Sequence, residues 1–481
     1  MPDISTLLGE TSLIVLLFHA VLAPATAIHA TLYKRDSRAA FGWIALCVLL
    51  PIAGPILYAI AGVNRVRSRA GRLGLPSLDL GYERGARRVI RIPEVSGLPD
   101  IYRELARIGG NLSRHRLVEG NHARALHNGE AAYPAMLEAI DAAERFVFLT
   151  TYILDSDRTG QAFIDALGRA AGRGVDVRVI IDGFGELYSF PRASRRLRKH
   201  GVAVAQFLPP RLFPPQLSIN MRNHHKILVV DGRRAYTGGM NIGDRHLAED
   251  RAVTSPVIDL QFELDGPVAV QLAEEFLRTW TFARGSRDSP DLPVTSETGP
   301  LVCRTVVDGP DENLDRLTML LTGTIAQARK RIHIMTPYFL PPREIIGVLQ
   351  AASLRGVEVN LVLPEKNNLP YVHWATRNML WELLYQDVKV YYQPPPFVHT
   401  KLFVVDGIYA LIGSTNWDPR SLRLNFELQV EIFGREFAGE MEAHIRAAID
   451  RGRPVTLEEV DGRSLPIRLR DSVCWLFSPY L

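Results

Sequence analysis

Two apolar stretches near the N-terminus differ from the rest of the chain. Residues 12–33 and 41–63 contain no Asp, Glu, Lys or Arg over 22 and 23 positions. As helices rising about 1.5 Å per residue, both are long enough to cross about 30 Å of hydrocarbon. The alternative is a cleaved signal followed by one buried core helix, because residues 25–27 (ATA) are similar to a cleavage site. No Lys or Arg precedes the first stretch, and cleavage would leave the second, so the pattern favours a two-helix membrane anchor over residues 1–63.

Basic residues follow each stretch and bear on membrane orientation. Lys34, Arg35 and Arg38 lie between the stretches, and arginines follow the second at positions 65, 67, 69 and 72. Because cytoplasmic loops have the excess of Lys and Arg, this second, denser group predicts that the large part of the chain after it lies in the cytoplasm. Residues 64–115 are predicted to be a basic linker near the membrane surface. The chain is therefore expected to be a multi-pass membrane protein.

Beyond the linker, short apolar runs typical of buried strands alternate with amphipathic helix patterns. A strand, a helix ending in Gly and a second strand occur twice: 145–153, 160–174 and 175–181, then 331–340, 342–356 and 357–363. Markers keep similar offsets, 186 positions from Tyr152 to Tyr338 and 182 from Gly174 to Gly356. Two βαβ units in step predict an α/β protein with homologous halves, residues 116–295 and 296–481, packed with pseudo-two-fold symmetry.

Composition excludes several classes of protein. A hydrophobic content of 47% argues against a disordered chain. The 56 basic residues exceed the 52 acidic residues only slightly and are spread along the chain, so no nucleic-acid footprint is apparent. Cys47, Cys303 and Cys474 are far apart, which argues against a disulfide framework and against a metal site. A mildly basic chain does suit an anionic membrane surface.

One 18-residue segment occurs once in each half. HHKILVVDGRRAYTGGMN begins at His224 and HTKLFVVDGIYALIGSTN begins at His399, and the two agree at nine positions. On a strand, each His would face the same way as the Lys two residues later. The Asp-Gly pairs at 231–232 and 406–407 predict hairpin turns that return Asn241 and Asn416 toward the His and Lys.

A His, a Lys and an Asn that converge at a strand end are suited to a phosphate. They supply a nucleophile, a fixed positive charge and an amide donor. One such His is more often an ordinary, partly buried residue. The same set twice, at the same internal spacing in matching folds, predicts a paired active site.

The two segments match the HxKxxxxD signature of the phospholipase D superfamily, which the chain resembles over nearly its whole length. GSTN at 413–416 matches the family's GSxN extension, whereas GGMN at 238–241 places Gly239 where the family usually has Ser. RNHHK, MTPYFLPP and NWDPRSLRLNFE make the chain similar to bacterial cardiolipin synthases within the superfamily. This resemblance implies two phospholipase D-like halves in a bacterial inner-membrane enzyme.

The resemblance also implies roles for the site residues. One His attacks phosphorus to form a phosphohistidine and the other protonates the departing alcohol, with His224 favoured as nucleophile and neither excluded. The other implied residues are Lys226, Lys401, Asn241, Asn416 and Ser414 on the phosphate oxygens, Asp259 and Glu427 accepting from the second imidazole nitrogen, and Asp231 and Asp406, which complete the catalytic motifs and are expected to hold the turn. No metal and no cofactor is expected.

The implied reaction joins two phosphatidylglycerol molecules into cardiolipin and glycerol, so phosphatidylglycerol and cardiolipin in the bilayer are the expected partners. A phospholipase D that hydrolyses lipid would use the same residues and remains an alternative. A nuclease is disfavoured by the predicted hairpin, and a scaffold with a dead site by two intact motifs. Residues 371–384 and 472–481 are either bilayer-docking segments or ordinary packed elements. Phosphatidylethanolamine as a donor and the oligomeric state stay open.

Overall fold

The computed structural model describes residues 4–34, 37–63, 100–210, 221–285, 290–310 and 315–478. They divide into two compact units, of which the smaller contains the N-terminal helices and the larger contains both repeated motifs. Most of the predicted basic linker, residues 64–99, lies outside the described residues, and so does the loop 211–220 that precedes the first motif.

The N-terminal unit consists of helices α1 (Ile4–Tyr33), α2 (Ser37–Leu49) and α3 (Ala53–Leu57) and a π-helical turn (Tyr58–Gly62). The second apolar stretch is thus not one continuous helix. Pro51 has no amide N–H and disfavours helical geometry at the residue before it, which ends α2 at Leu49. Ala30, Cys47 and Tyr58 form a small buried cluster. Within the described part of the chain, no helix has both the length and the apolar character needed to cross a membrane.

The larger unit is organised around a mixed β-sheet. Its strands are β1 (Val118–His127), β2 (Phe146–Thr151), β3 (Asp176–Asp182), β4 (Ala203–Phe207), β5 (Ile227–Val230), β6 (Arg234–Gly238), β7 (Val257–Ile258), β8 (Leu260–Asp265), β9 (Leu301–Asp308), β10 (Arg331–Met335), β11 (Glu358–Pro364), β12 (Lys389–Gln393), β13 (Phe397–Val398), β14 (Leu402–Val405), β15 (Tyr409–Gly413), β16 (Glu427–Phe433) and β17 (Arg453–Pro454). In the described residues, 15 of these strands form one sheet, and β7 pairs with β13 separately.

The sheet repeats the same strand order on both sides of its centre. From β1 outward the order is β1-β8-β6-β5-β2-β3-β4, and from β9 outward it is β9-β16-β15-β14-β10-β11-β12, with β17 at that edge. The two series meet where β1 and β9 pair antiparallel, with Val118 opposite Cys303 and Asn121 opposite Leu301. Both predicted βαβ units are present, since β2 pairs with β3 and β10 with β11 in parallel. An antiparallel seam between equivalent strands is the backbone arrangement that a pseudo-two-fold axis requires.

Helices cover the sheet and complete a hydrophobic core in each half. They are α4 (Asp100–Leu112), α5 (Asn128–Asp141), α6 (Arg158–Gly172), α7 (Ala193–Lys199), α8 (Pro267–Arg284), α9 (Arg316–Gln327), α10 (Arg343–Leu354), α11 (Pro370–Leu384), α12 (Arg435–Arg451), α13 (Leu457–Asp461) and α14 (Leu465–Leu476). Helix α4 differs from the sequence prediction, which placed residues 100–115 in the linker. Tyr102, Leu105 and Ala106 recur at helical spacing and are buried in the core of the second half.

Candidate active site

The two Asp residues of the repeated motifs fasten the hairpins on which the site is built. Asp231 begins the turn between β5 and β6, and its carboxylate accepts the backbone N–H groups of residues 144–146 at 2.8–3.0 Å. Asp406, between β14 and β15, accepts those of residues 329–331 at 2.8–3.0 Å. Both have a φ of 54°, and a Gly at positive φ follows each. These carboxylates therefore position the hairpins against β2 and β10.

Each motif His lies just before a strand, where its backbone pairs with the opposite half. Strand β5 begins at Ile227, so His224 and Lys226 precede the strand on which they were predicted. The His224 N–H donates to the Phe426 carbonyl at 2.9 Å, and the His399 N–H donates to the Ile258 carbonyl at 2.7 Å. Each motif is thus joined to the segment that leads into the carboxylate of the other half.

The carboxylates are exchanged between the halves. Nδ1 of His224 lies 2.9 and 3.0 Å from the two carboxylate oxygens of Glu427. Nδ1 of His399 lies 2.8 Å from Oδ2 of Asp259. The order of the sequence associates each carboxylate with the motif His that precedes it in the same half. In the fold, each carboxylate instead bonds to the motif His of the other half. With Nδ1 donating to a carboxylate, Nε2 becomes the basic nitrogen of each ring.

The motif lysines are buried beside the histidines. Nζ of Lys226 donates to the His224 carbonyl at 3.0 Å, and Nζ of Lys401 donates to the His399 carbonyl at 2.5 Å. Burial lowers the pKa of Lys226 to about 7 and that of Lys401 to about 8, although Glu427 and Asp259 oppose both shifts. Each lysine also acts on the His of the other half, so the two motifs share one electrostatic site.

The ionisable pairs of the two halves differ. Burial would raise the pKa of Asp259, but Lys401 and the hydrogen bond from His399 bring it below its ordinary value. Burial raises the pKa of Glu427 to about 7, with Lys226 and Ser414 offsetting only part of the shift. Burial also lowers the pKa of both histidines, to about 4 for His399 and well below the ordinary value for His224. Both imidazoles are therefore held toward the neutral form when no substrate is bound.

The predicted phosphate ligands are placed differently from one another. Oγ of Ser414 donates to Glu427 at 2.5 Å and accepts the Leu428 N–H at 3.1 Å, so its hydroxyl orients the carboxylate. Asn241 Oδ1 accepts the Ile153 N–H at 3.2 Å. Asn416 donates from Nδ2 to the Ser421 hydroxyl at 3.2 Å, and its buried Oδ1 has no hydrogen-bond partner among the described residues.

Gly239, where the family usually has Ser, stands against Asp259. A Cβ at this position would lie 2.6 Å from Oδ2 of Asp259, which is closer than side chains tolerate. The carboxylate therefore occupies the space that a Ser would need. The Gly is a consequence of how closely Asp259 approaches the backbone here.

Sequence reasoning gave no role to several other residues of the site. The ring centroids of Tyr152 and His224 are 5.7 Å apart, and those of Tyr338 and His399 are 6.3 Å apart. The signal in the sequence was the offset of 186 positions between the two tyrosines, which is close to the offset of 182 positions between the two glycine markers. Ser421 hydrogen bonds to Glu427, and Arg420 acts after burial and the two lysines to lower the pKa of His224.

The repeat places another arginine, Arg245, at the position that corresponds to Arg420, 21 residues after the motif His. Arg245 forms an ion pair with Asp155 at 2.7 Å. Three residues after the second-half tyrosine, where Asp155 would have its counterpart, the chain has Pro341. The two arginines therefore stand in different electrostatic settings.

Among the described residues, no group of three or more His, Cys, Asp or Glu side chains is arranged to hold a metal ion. The chemistry of the site as described is that of imidazole, ammonium and carboxylate groups.

Comparisons with known proteins agree with this geometry. Residues 136–280 and 321–449 match the family model described as "Cardiolipin synthase, PLD-like domain", and residues 13–62 match "Phospholipase_D-nuclease N-terminal". Cardiolipin synthase A of Pseudomonas aeruginosa (strain LESB58) is 32% identical over 446 residues, covering 91% of this chain and 90% of the relative. Cardiolipin synthase of Oceanobacillus iheyensis is 29% identical and covers 98% of this chain and 100% of the relative.

A solved structure supports the fold. The crystal structure of phosphatidylserine synthase from Haemophilus influenzae Rd KW20 superposes with a TM-score of 0.61 at 15% identity, covering 79% of this chain and 100% of that one. At this identity the match concerns architecture alone. The match of the family model to both halves and the identity across the chain lead to one conclusion: the chain belongs to the cardiolipin synthase family of phospholipase D-like proteins.

Proposed function

We propose that this chain is a phosphatidyltransferase that joins two phosphatidylglycerol molecules into cardiolipin and releases glycerol. One observation has the most weight: each motif His is oriented by a buried carboxylate of the opposite half. This pairing presents two imidazoles, each with its Nε2 as the basic nitrogen, to one site. Membership of the family and relatives named cardiolipin synthase support the choice of reaction.

The first step forms a covalent intermediate. Nε2 of His224 attacks the phosphorus of one phosphatidylglycerol, and the bond from phosphorus to the glycerol oxygen breaks. His399 gives a proton to that oxygen, and glycerol leaves. In the second step the terminal hydroxyl of another phosphatidylglycerol loses its proton to His399 and attacks phosphorus. The bond from phosphorus to His224 breaks, and cardiolipin is released.

The two His–carboxylate pairs favour this division of roles. Asp259 has a lowered pKa, and an ionised carboxylate stabilises an imidazolium, which suits His399 as the acid. Burial and the two lysines lower the pKa of His224, which suits a nucleophile that must attack as neutral imidazole. A phosphodiester bound beside Lys226 and Lys401 would add negative charge and raise the proton affinity of His399 for the first step.

The lysines and the two asparagines stabilise the phosphate oxygens in the transition state. Lys226 and Lys401 are already desolvated, so their charges act strongly on an anion that displaces the present contacts. Asn241 and Asn416 lie three residues after the ends of β6 and β15 and supply amide groups near that position. Ser414 acts through Glu427, which it orients.

Residues 1–63 serve in this proposal as the membrane anchor of a bacterial inner-membrane enzyme whose larger unit faces the cytoplasm. The absence of formally charged residues from positions 12–33 and 41–63 supports an anchor, as does the match of residues 13–62 to the N-terminal family model. The arginines after residue 63 support the orientation.

The reaction is tested with phosphatidylglycerol labelled in its phosphate, incubated with the full chain and analysed by mass spectrometry. We expect cardiolipin as product, and label on the peptide containing His224 after rapid quenching in alkaline denaturant, which preserves the bond between phosphorus and nitrogen. Phosphatidic acid in place of cardiolipin would assign the chain as a hydrolase. The variant His224→Asn, which should carry no label, is the control for the labelled position, and label on His399 in the wild type would reverse the assigned roles.

A further inference from the structure

The last described helix, α14, packs Cys474 and Trp475 against the core of the second half and also directs an apolar stripe outward. Its outer face consists of Leu465, Leu469, Val473, Leu476 and Phe477, which are 77%, 64%, 45%, 68% and 59% exposed. These residues recur at intervals of three and four and form one stripe along the helix. A surface helix of a water-soluble domain normally directs such a stripe into the core.

The inner face of α14 is held to α11 by a buried ionic cluster. Asp471 is 0% exposed and accepts hydrogen bonds from Arg377 at 2.8 and 3.0 Å. Arg470 donates to the same carboxylate at 2.8 and 3.0 Å and lies over the Trp374 ring at 4.2 Å, and Arg463 also contacts it. These contacts fix the rotation of α14, so the apolar stripe is directed outward by the structure.

We propose that the outer face of α14 docks on the lipid bilayer. This inference rests on the proposed function, because the two substrates of that reaction reside in a bilayer. Arg468 is exposed on the same helix and suits the anionic headgroups of phosphatidylglycerol. The neighbouring helix α11 exposes Trp381, and exposed Tyr385 is the first residue after that helix. Both residue types favour the membrane–water interface.

Docking through α14 would fix the orientation of the larger unit on the membrane. A tether near the N-terminus limits how far the catalytic unit moves from the bilayer but does not determine which side faces it. An apolar helix face held rigidly by the Asp471 cluster supplies that orientation. The acceptor hydroxyl is then presented at high effective concentration, which favours transfer over hydrolysis.

One matched pair of double variants tests this in the full chain. Leu469→Glu/Leu476→Glu places charge on the outer face, and Met319→Glu/Leu354→Glu places the same charge at exposed positions on α9 and α10. On vesicles of phosphatidylglycerol and phosphatidylcholine we expect the first variant to lose at least about tenfold in cardiolipin formation, since burying a leucine favours docking strongly. The second variant should match the wild type.

The same variants are assayed in detergent with dihexanoyl phosphatidylglycerol supplied below its micellar concentration. Here the outer-face variant should keep wild-type rates to within about twofold. Equal losses in both assays, or no loss in either, overturn the proposal. A wild type that makes no cardiolipin in either assay refutes the proposed function instead, and the depth measurement then decides on docking alone.

Depth is measured with a nitroxide at Leu469→Cys in vesicles, compared with Leu354→Cys as control, each with the native cysteines replaced. The label at position 469 should be more accessible to oxygen than to a water-soluble nickel chelate, and the control should show the reverse. Equal water exposure at both positions overturns the proposal. So does a dimer in detergent that Leu469→Glu/Leu476→Glu dissociates, because that result assigns the outer face to a second copy of the chain.

Discussion

The two halves place equivalent residues around the two histidines but differ behind each carboxylate. Around Glu427, the hydroxyls of Ser414 and Ser421 both form hydrogen bonds to it. Around Asp259, the corresponding positions are Gly239 and His246, respectively 15 and 22 residues after the motif His. Neither nitrogen of buried His246 bonds to a described residue, and burial lowers its pKa to about 3.

The protonation behaviour of the two carboxylates also differs, and the hydroxyls are not the cause, since Ser414 and Ser421 both lower the pKa of Glu427. Burial outweighs the neighbouring groups at Glu427, whose pKa is raised to about 7, whereas Lys401 and His399 outweigh burial at Asp259, whose pKa is lowered. A displacement at phosphorus needs a nucleophile on one side and an acid on the other. The duplicated fold thus supplies the layout, and the balance between burial and neighbouring charges distinguishes the two sides.

Removal of either His should give the largest effects and should separate the roles. His224→Asn and His399→Asn are each expected to reduce cardiolipin formation by about 10⁴-fold or more. A phosphatidyl substrate with a p-nitrophenol leaving group needs no acid, so His399→Asn should still release p-nitrophenolate in a burst. His224→Asn should not. A burst in His224→Asn alone would show that the roles are reversed.

Substitutions of the two carboxylates should reduce the rate by unequal amounts. Asp259→Asn removes an ionised partner of His399 and is expected to lower kcat by about 10²- to 10⁴-fold. Glu427→Gln resembles the protonated form of a group whose pKa is about 7, so the loss at pH 6 should be at least about tenfold smaller than for Asp259→Asn. Steady-state rates at fixed substrate density measure both. Equal losses would contradict the division between the halves.

The raised pKa of Glu427 also predicts the direction in which the rate changes with pH. Because the pKa of Glu427 is raised to about 7, its carboxylate ionises as pH rises through about 7, and attack by His224 should speed up over that range. Lys401, with a pKa lowered to about 8, loses its charge as pH rises further and should produce a falling limb. Lys226, with a pKa lowered to about 7, loses its charge over the same range in which Glu427 ionises and should make the rising limb shallower. Glu427→Gln should therefore lose the rising limb and keep the falling one.

A substitution that gives the first half the Ser of the second half should reduce activity less than the changes to the histidines and carboxylates. In Gly239→Ser, the new Cβ must displace Asp259, which would lie 2.6 Å away, and we expect kcat to fall about tenfold. Gly239→Ala adds the same Cβ without a hydroxyl and is the matched control. Equal losses identify a steric cause. Full activity of Gly239→Ser would show that Asp259 has room to move, contrary to the structure.

The smallest effect is expected for Ser414→Ala. The hydroxyl lowers the pKa of Glu427, so its removal should raise that pKa and move the rising limb to higher pH, by less than about one unit. The plateau rate should change by less than about threefold. A shift to lower pH, or a uniform loss at every pH, would indicate that Ser414 contacts the phosphate itself. Thr415→Ala, at the next position, serves as the control.

Local patterns in the sequence predicted the repeated elements well. Alternating apolar runs marked β2, β3, β10 and β11, and the Asp-Gly pairs marked both hairpin turns. These features depend on neighbours in the chain, so a single sequence is enough to reveal them. The repeat also identified the motif residues, because a His and a Lys at fixed spacing are informative when they occur twice.

Features that depend on distant contacts were missed. Nothing near Glu427 in the sequence indicates that it orients His224, 203 positions earlier, because the crossing arises from the packing of the two halves. Helix α4 was missed because of the composition of the residues before it. They are rich in Arg, Gly and Pro, and the predicted linker was extended from them over a helix that has its own apolar face. The hydrogen bond from Ser414 to Glu427 was also not foreseen, since the sequence does not show that the carboxylate lies within reach of the hydroxyl.

The antiparallel pairing of β1 and β9 has a consequence for any truncated form of the protein. Because neither His has its carboxylate in its own half, a lesion that removes either portion of the gene silences both catalytic groups together. Either half produced alone would regain a carboxylate for its His only by pairing with a second copy along this strand edge.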